Sequence, residues 1–370
     1  MSVKHNFKGQ PMKVVKPNSL ISPKFKPLEI RKSFNYEIEK LAEDLTDSIA
    51  SKDVLSVKPA NQWIEEAKIR PNPKQLFGPL WHQNEICILF ADTNLGKSIL
   101  AVQIANSISS GKAINGINLQ IEAAPVLYFD FELSDKQFEN RYSEDYDNHF
   151  KFHKNLLRVE INPDAELPKN KTFDDCILES IEKNIISYNS KILIIDNITY
   201  LRAETEKAKD ALPLMKRLKA LKSKYNLSLL ILAHTPKRDL SKPICKNDLQ
   251  GSKMLINFCD SAFAIGESQN DTSLRYIKQI KERNTEKVYH SENVLICEIE
   301  KPNNFLQFRL LDTGFESEHL KQYGSKEKKD KMLEAQSLKS QGMNNVQIGQ
   351  KLGVHESTIR KWFKKLTNEK

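Results

Sequence analysis

The sequence has few cysteines, and their spacing suits no common cysteine-based scaffold. The 370 residues include five cysteines, an odd number, and no two of them form a C-x-x-C pair. Disulfide frameworks and zinc ribbons require paired cysteines at close or regular spacing. We therefore expect reduced thiols in a cytoplasmic protein, and we set aside the disulfide-scaffold and zinc-ribbon classes.

Long apolar runs are also lacking. The longest run, residues 86–91, is far shorter than the roughly 18 residues that a membrane-spanning helix needs. The first residues are polar and soon meet Pro11, so the apolar centre of a secretory signal is missing. The sequence predicts a protein with no membrane partner.

Acidic residues are scarce at both ends of the chain. Residues 1–32 contain eight Lys and Arg against Glu29 alone, and residues 321–370 contain twelve against five acids. Because the whole chain has a formal net charge of +9, the body between these ends is net acidic. Two basic ends on an acidic body predict contact with an anionic polymer such as DNA, although lysine-rich termini are also common as solvated tails.

Short apolar runs alternate with amphipathic stretches between residues 70 and 312. The runs that predict strands are 85–90, 125–131, 156–161, 191–196, 227–233, 261–265, 273–280 and 294–299. The stretches with helical spacing are 98–109, 134–142, 172–188 and 204–225. This alternation predicts an α/β fold with a mostly parallel sheet covered on both faces. A further helix is expected at 36–50, within a Pro-rich N-terminal arm.

A phosphate-binding loop is predicted where the first strong strand meets its helix. Its residues are Ala91, Asp92, Thr93, Asn94, Leu95, Gly96, Lys97 and Ser98. In this context backbone N–H groups and the helix N-terminus bind phosphate, Lys97 reaches the β- and γ-phosphates, and the Ser98 hydroxyl is available to Mg²⁺. Alanine replaces the usual glycine at position 91, which is acceptable where φ is negative. ATP and Mg²⁺ are the expected cofactors.

Two later strands end in carboxylates. Asp196 ends the run 191–196 and is expected to hold the metal, because a cation that bridges phosphates needs oxygen ligands at this edge of the sheet. Asp130 lies near the end of the run 125–131 and Glu132 follows the run directly; residues two apart share a face of a strand, so alternation does not separate them. Glu132 lies nearer the strand end and reaches further, so we favour it as the base that polarises the attacking water, with Asp130 as the alternative.

Together these motifs resemble the RecA-like branch of P-loop ATPases, and in particular the RepA-type hexameric helicases of plasmids and mobile elements and their AAA-family relatives. The segments that carry the resemblance are 91–98, 129–134, 193–197, 230–235 and 248–252, and it covers residues 70–312. The resemblance implies that Glu132 is the catalytic glutamate and that His234 senses the γ-phosphate. An ordinary loop histidine is the alternative for His234. It also implies a homo-oligomer, expected to be a hexameric ring.

Two further sets of cations match positions of such rings. A loop at 236–250 contains Lys237, Arg238, Lys242 and Lys246. It resembles the loop that lines the central channel and contacts single-stranded DNA, and cations on a flexible loop suit phosphate contact without base readout. Lys281 and Arg283 resemble the K-x-R pair that reaches a neighbour's ATP site, where a cation stabilises transition-state charge. A solvated loop and a solvent-exposed strand end are the alternatives.

The C-terminal residues have the spacing of a helix-turn-helix, with residues 331–340 as a covering helix. The apolar positions expected in its core are Ile348, Leu352, Val354, Ile359 and either Trp362 or Phe363. Gly349 suits a close helix approach, and Gly353 suits the turn. The side chains expected to face duplex DNA are Ser357, Arg360, Lys361 and Lys364. A helical protein-docking module is the alternative.

The sequence thus predicts four segments: a basic arm at 1–69, a RecA-like ATPase domain at 70–312, a charged linker at 313–330 and a DNA-binding domain at 331–370. The expected function is ATP hydrolysis coupled to DNA, as in a helicase or DNA-remodelling ATPase of plasmid or mobile-element replication. An ATP-switched DNA-binding regulator without strand translocation is the second hypothesis. A small-molecule kinase is disfavoured, because no substrate lid is evident and the basic tail would have no role.

Overall fold

The computed structural model describes residues 55–198, 211–249, 252–321 and 325–368. The chain divides into two compact units, residues 1–71 and 72–370. The described part of the first unit contains helix α1, Ala60–Lys68, which follows Pro59 and has no buried residue. The helix expected at 36–50 lies outside the described residues. Within the described ranges, no helix is long and apolar enough to cross a membrane.

The second unit contains the strands of a large sheet and two short hairpins. In chain order its strands are β1 Gln75–Phe77, β2 Trp81–His82, β3 Ile86–Ala91, β4 Val126–Asp130, β5 Ser143–Glu144, β6 Asn148–His149, β7 Leu156–Val159, β8 Ile192–Asp196, β9 Ser228–His234, β10 Ser261–Glu267, β11 Leu274–Lys281, β12 Val294–Glu300 and β13 Gln307–Gly314. Nine of them form one sheet in the order β13-β12-β11-β10-β3-β9-β8-β4-β7.

Six neighbouring strands of this sheet, from β7 to β10, run parallel. Strands β11, β12 and β13 extend the sheet in antiparallel fashion. The predicted α/β fold with a mostly parallel sheet is therefore confirmed. Because parallel strands end on the same edge, the carboxyl edge gathers Ala91, Asp130, Asp196 and His234.

Helices cover both faces of the sheet. In chain order they are α2 Lys97–Ser110, α3 Asp135–Arg141, α4 Phe173–Tyr188, α5 Ala211–Tyr225 and α6 Ser252–Phe258. Side chains of β3 alternate between two cores: Cys87 and Leu89 pack beside α2, whereas Ile88 and Phe90 pack beside α4 and α5. A strand that is buried on both faces reads as a continuous apolar run, which explains why the sequence pattern located it.

The folded sheet extends past residue 312, where the sequence places the start of a linker. Strand β13 runs to Gly314, and a short 3₁₀ helix, Glu316–His319, follows. Glu316 is fully buried and forms an ion pair with the buried Lys278 of β11. The first part of the expected linker 313–330 is therefore packed structure, and the error has a physical reason. Because the two residues of this buried ion pair are far apart in the chain, no local sequence pattern indicates that they pack together.

Three helices surround a small apolar core near the C-terminus. They are α7 Ser325–Ser340, α8 Asn345–Leu352 and α9 Glu356–Asn368. The buried residues of this core are Ala335, Leu338, Ile348, Leu352, Val354, Ile359 and Trp362. Gly353 ends α8 with a φ of 68°. A Cβ at Gly349 would lie 2.7 Å from the carbonyl oxygen of Val354, so the close approach requires glycine.

Candidate nucleotide-binding and catalytic site

A tight loop at residues 92–96 joins β3 to α2 at the carboxyl edge of the sheet. Asn94 and Gly96 have positive φ angles of 63° and 91°. A Cβ at Gly96 would lie 2.8 Å from Ile299 Cδ1 and 2.9 Å from the ring of Phe308, so glycine is required. The N-cap residue of α2 is Gly96, which has no side chain to bond the first N–H groups of the helix, so these groups are available to an anion.

The alanine at position 91 also has a structural explanation. Ala91 is the last residue of β3, and its methyl group is buried in the core beside α2. Strand backbone is open to any L-amino acid, so this position does not require glycine. The departure from the usual motif therefore leaves the loop geometry intact.

Lys97 is the first residue of α2, and its ammonium group lies inside the loop. Its Nζ donates to the carbonyl oxygens of Ala91 at 3.1 Å and Asp92 at 3.0 Å. Burial lowers the pKa of Lys97, and the carboxylates of Glu132 and Asp196 oppose this effect. Among the described residues, the hydrogen-bond partners of Nζ are these two backbone carbonyl oxygens, which phosphate oxygens can replace as ligands of the ammonium group.

Asp196 is a buried carboxylate at the end of β8, beside the phosphate-binding loop. Its Oδ2 accepts a hydrogen bond from the Tyr128 hydroxyl at 2.7 Å, and its buried Oδ1 has no hydrogen-bond partner among the described residues. Burial raises the pKa of Asp196 to about 6, while the Ser98 and Tyr128 hydroxyls lower it. An unpartnered buried oxygen next to a hydroxyl fits a Mg²⁺ site, because Mg²⁺ prefers oxygen ligands.

Three polar side chains form a triangle at the same edge. The side-chain amide of Asn197 donates to Glu132 Oε1, and its Nδ2 lies 3.0 Å from His234 Nε2. His234 Nε2 lies 3.3 Å from Glu132 Oε1. The hydrogen bond from His234 is the largest of the effects that lower the pKa of Glu132. Glu132 is therefore held as a carboxylate, partly exposed and able to accept a proton from water.

Asp130, the alternative base, has a different environment. Its side chain is fully buried and forms an ion pair with Arg158 Nε at 2.9 Å. Its other oxygen accepts the N–H of Leu133 at 3.0 Å, which closes the turn after β4. Both oxygens of Asp130 are thus occupied by protein groups, whereas the Glu132 carboxylate is open to solvent.

Comparison with known proteins agrees with this geometry. Residues 54–239 match the model of the AAA domain family, which is 186 of the 370 residues. The chain belongs to the AAA domain family. The matched region contains the phosphate-binding loop, both acidic strand ends and His234. The chain is thus an AAA-type P-loop ATPase.

Two other comparisons accompany this assignment. A solved structure of a KaiC-like protein from the hyperthermophilic archaeon Pyrococcus horikoshii OT3 is similar, with a TM-score of 0.40 and 14% identity. The similarity covers 62% of this chain and 91% of that chain. No curated protein sequence matches the chain.

The AAA domain continues from His234 into the cationic loop. Lys237, Lys242 and Lys246 are exposed to solvent, and Lys242 is 3.3 Å from the carboxylate of Asp239. Arg238 differs from the three lysines, because it is half-buried and donates to the carbonyl oxygen of Lys242 at 3.0 Å. The structure thus separates the four predicted cations into three exposed lysines and one arginine that is turned inward.

Lys281 and Arg283 lie at the opposite edge of the AAA sheet. Lys281 pairs with Ala262 near the start of β10, and its Nζ donates to the carbonyl of Cys259 at 2.7 Å. Arg283 is exposed and lies 3.3 Å from the carboxylate of Asp260. With a strand rise of about 3.3 Å per residue, this pair is roughly 15–20 Å from the phosphate-binding loop of its own chain. The two cations therefore cannot reach that loop within one subunit.

The remaining predicted residues lie on helix α9 of this AAA protein. Ser357, Arg360, Lys361 and Lys364 are all exposed. Arg360 forms an i,i+4 ion pair with Glu356 at 2.6 Å, and the hydroxyl of Ser357 lies 2.8 Å from His355 Nδ1. Exposed pairs of this kind contribute little stability, so they leave the side chains available to other partners.

Three residues that shape the site have no predicted role in the sequence. Asn197 links Glu132 to His234, Tyr128 binds Asp196, and Arg158 holds Asp130. Asn197 follows Asp196 directly, so its place at the strand end was a usable signal. Tyr128 and Arg158 lie inside strands β4 and β7, where the sequence offers no such signal.

Proposed function

We propose that this AAA protein is an ATPase that couples hydrolysis to DNA, as a ring-forming helicase or DNA-remodelling enzyme of plasmid or mobile-element replication. The observation that carries the proposal is the continuity of one segment. His234 contacts the candidate base Glu132, and the chain then leads directly into a loop with the exposed lysines Lys237 and Lys242. A site for ATP chemistry and a cationic surface therefore share one short stretch of backbone.

The residues at the carboxyl edge divide the chemistry among them. Lys97 and the N-terminus of α2 would bind the phosphates of ATP, and Ser98 and Asp196 would hold Mg²⁺. When bound, Mg²⁺ neutralises charge on the β- and γ-phosphates. Glu132 accepts hydrogen bonds from Asn197 and lies beside His234, so its carboxylate is oriented to polarise a water for attack on the γ-phosphate.

Two surfaces support a DNA partner. The exposed lysines of the loop suit contact with the phosphates of a single strand, independent of sequence. The exposed face of α9 presents Ser357, Arg360 and Lys361, residue types that contact phosphates and base edges in duplex DNA. In this proposal the three C-terminal helices act as a DNA-binding helix-turn-helix.

The position of Lys281 and Arg283 supports an assembly in which subunits share sites. They lie too far from their own phosphate-binding loop to act there, and Arg283 is exposed. A head-to-tail ring would bring such an edge to a neighbour's ATP site, where Arg283 would stabilise the transferred phosphoryl group. We propose a homo-hexamer on this basis.

A second candidate is an ATP-switched DNA-binding regulator without strand translocation. The compact three-helix unit with its own apolar core supports it, because that unit could bind duplex DNA whether or not the ATPase moves along a strand. A protein-docking role for the same helices is the alternative to DNA binding.

One set of measurements tests both candidates. The ATPase rate with and without single-stranded DNA reports coupling, and strand displacement on forked DNA separates a helicase from a regulator. A hexamer would have about six times the 42.6 kDa mass of the chain. The helicase proposal would be contradicted if the protein is a monomer and its ATPase rate does not change at any concentration of single-stranded DNA.

A further inference from the structure

Arg238 lies apart from the exposed lysines of its loop and lines a cavity beside the phosphate-binding loop. The cavity has a volume of about 80 Å³. Asp92 and Thr93 of the phosphate-binding loop form part of its wall, and Glu267 at the end of β10 forms another part. A change in the conformation of the phosphate-binding loop therefore changes the surroundings of Arg238.

The segment that carries Arg238 is fixed at both of its ends. At its start, the N–H of Thr235 donates to the carbonyl oxygen of Ala91 at 3.1 Å. At its end, the N–H of Ile244 donates to Glu316 at 2.7 Å, and its carbonyl accepts from Lys278 at 2.8 Å. Lys278 and Glu316 are themselves a buried ion pair. The backbone between Thr235 and Ile244 can therefore change its conformation while these two ends stay in place.

Arg238 contacts the middle of that segment from within. Its Nη1 donates to the carbonyl oxygen of Lys242 at 3.0 Å, so the side chain spans four residues of the loop. Burial raises the pKa of Tyr276, and the positive charge of the Arg238 guanidinium opposes this rise. The same side chain thus borders the phosphate-binding loop and holds the exposed part of the cationic loop.

We propose that Arg238 is a positioning residue that couples the phosphate-binding loop to residues 236–243. When the loop at 92–96 closes on phosphate, its outer wall shifts, the guanidinium follows, and the backbone around Lys242 becomes more ordered. Arg238 was expected from the sequence to contact DNA; in this proposal it acts through the protein. The proposal rests on the ATP site and does not depend on DNA binding.

Hydrogen–deuterium exchange of the full-length protein, with and without Mg²⁺ and a non-hydrolysable ATP analogue, tests this coupling. In the wild type, the analogue should slow exchange at amides 92–98 through binding and at amides 237–242 by at least about threefold through coupling. In Arg238→Ala, the analogue should still slow exchange at 92–98 but leave 237–242 unchanged. Protection at 92–98 shows that the variant is folded and binds nucleotide.

Two further variants complete the test. Arg238→Lys retains a donor that can reach Lys242 and should keep part of the response. Lys287→Ala removes an exposed cation outside this segment and should keep all of the response. An equal response at 237–242 in Arg238→Ala and the wild type overturns the proposal. The proposal is also overturned if the analogue slows exchange at 92–98 in the wild type but leaves exchange at 237–242 unchanged. If the analogue does not slow amide exchange at 92–98 in the wild type, the assignment of the ATP site is wrong, and the proposed coupling is wrong as well.

Discussion

Asn197 lies between Glu132 and His234 and contacts both. Its amide donates to Glu132 Oε1, and its Nδ2 is 3.0 Å from His234 Nε2. Asn197 follows Asp196, whose buried Oδ1 has no hydrogen-bond partner in the described part of the chain and fits a Mg²⁺ ligand. Two consecutive residues at the end of β8 therefore have different expected roles: Asp196 is the candidate metal ligand and Asn197 positions the candidate base.

Glu132→Gln should leave ATP binding intact and slow hydrolysis by at least about 100-fold, because glutamine cannot accept a proton from water. Steady-state hydrolysis and binding of a fluorescent ATP analogue measure the two effects separately. Asp130→Asn is the informative comparison: it breaks the buried pair with Arg158 and should lower stability as well as activity. A near-normal rate for Glu132→Gln would reassign the base.

Asn197→Ala should lower kcat by roughly 10–100-fold, the range expected from losing a hydrogen bond of about 1.5–3 kcal/mol to a charged group. The KM for ATP should change much less, because the contacts of Asn197 with Glu132 and His234 position the candidate base. The matched control is Asn155→Ala, which removes an amide that donates to the backbone of α2 at Ser109. Equal losses of kcat in both variants would mean that the effect is structural.

Asp196→Asn should weaken Mg²⁺ binding, so the variant should need more Mg²⁺ than the wild type for the same ATPase activity. Titration of ATPase activity with Mg²⁺ should give a much higher half-saturating concentration in the variant, because a neutral amide binds a hard cation weakly. Tyr128→Phe removes the hydroxyl that donates to Asp196 Oδ2 but keeps the carboxylate. It should shift the titration only slightly. An unchanged Mg²⁺ titration in Asp196→Asn contradicts the metal assignment.

Arg283→Ala should bind ATP normally but hydrolyse it poorly, because the missing charge would belong to a neighbour's site. Mixing it with Glu132→Gln should recover part of the activity, since some interfaces would then combine an intact Glu132 with an intact Arg283. Lys287→Ala, an exposed cation nearby, is the control and should behave as the wild type. No recovery in mixtures that are shown to co-assemble argues against a role in trans.

Truncation after residue 324 removes the three C-terminal helices, with eleven Lys and Arg against five acids. Duplex affinity should fall, and its dependence on salt should become shallower, because fewer counterions are released. Basal ATP hydrolysis should survive, since the catalytic edge lies in the sheet. Arg360→Ala in the full chain should cost about 1–3 kcal/mol on a preferred duplex if it reads a base edge. Unchanged duplex binding by the truncated protein would favour a protein-docking role.

Much of the sheet and of the phosphate-binding loop could be predicted from local pattern. Strands β3, β8 and β9 are buried on both faces and therefore appear as continuous apolar runs. The loop at 92–96 needs its glycine for a local reason, the positive φ of Gly96, so its motif is visible in the sequence. Strand β13 is an edge strand with a mixed burial pattern, and its last residues fall in the segment 313–330 that the sequence predicts as a linker.

The sequence by itself determined the residue types at the ends of the parallel strands, because parallel topology brings every such end to one edge. It could not determine which residues those side chains contact. Only the tertiary structure binds Asp130 to Arg158 and leaves Glu132 to Asn197 and His234. It likewise turns Arg238 inward while its neighbour Lys237 stays exposed. The reason is physical: hydrogen bonds and burial depend on contacts between strands and loops that are distant in the chain, and those contacts exist only once the sheet is assembled.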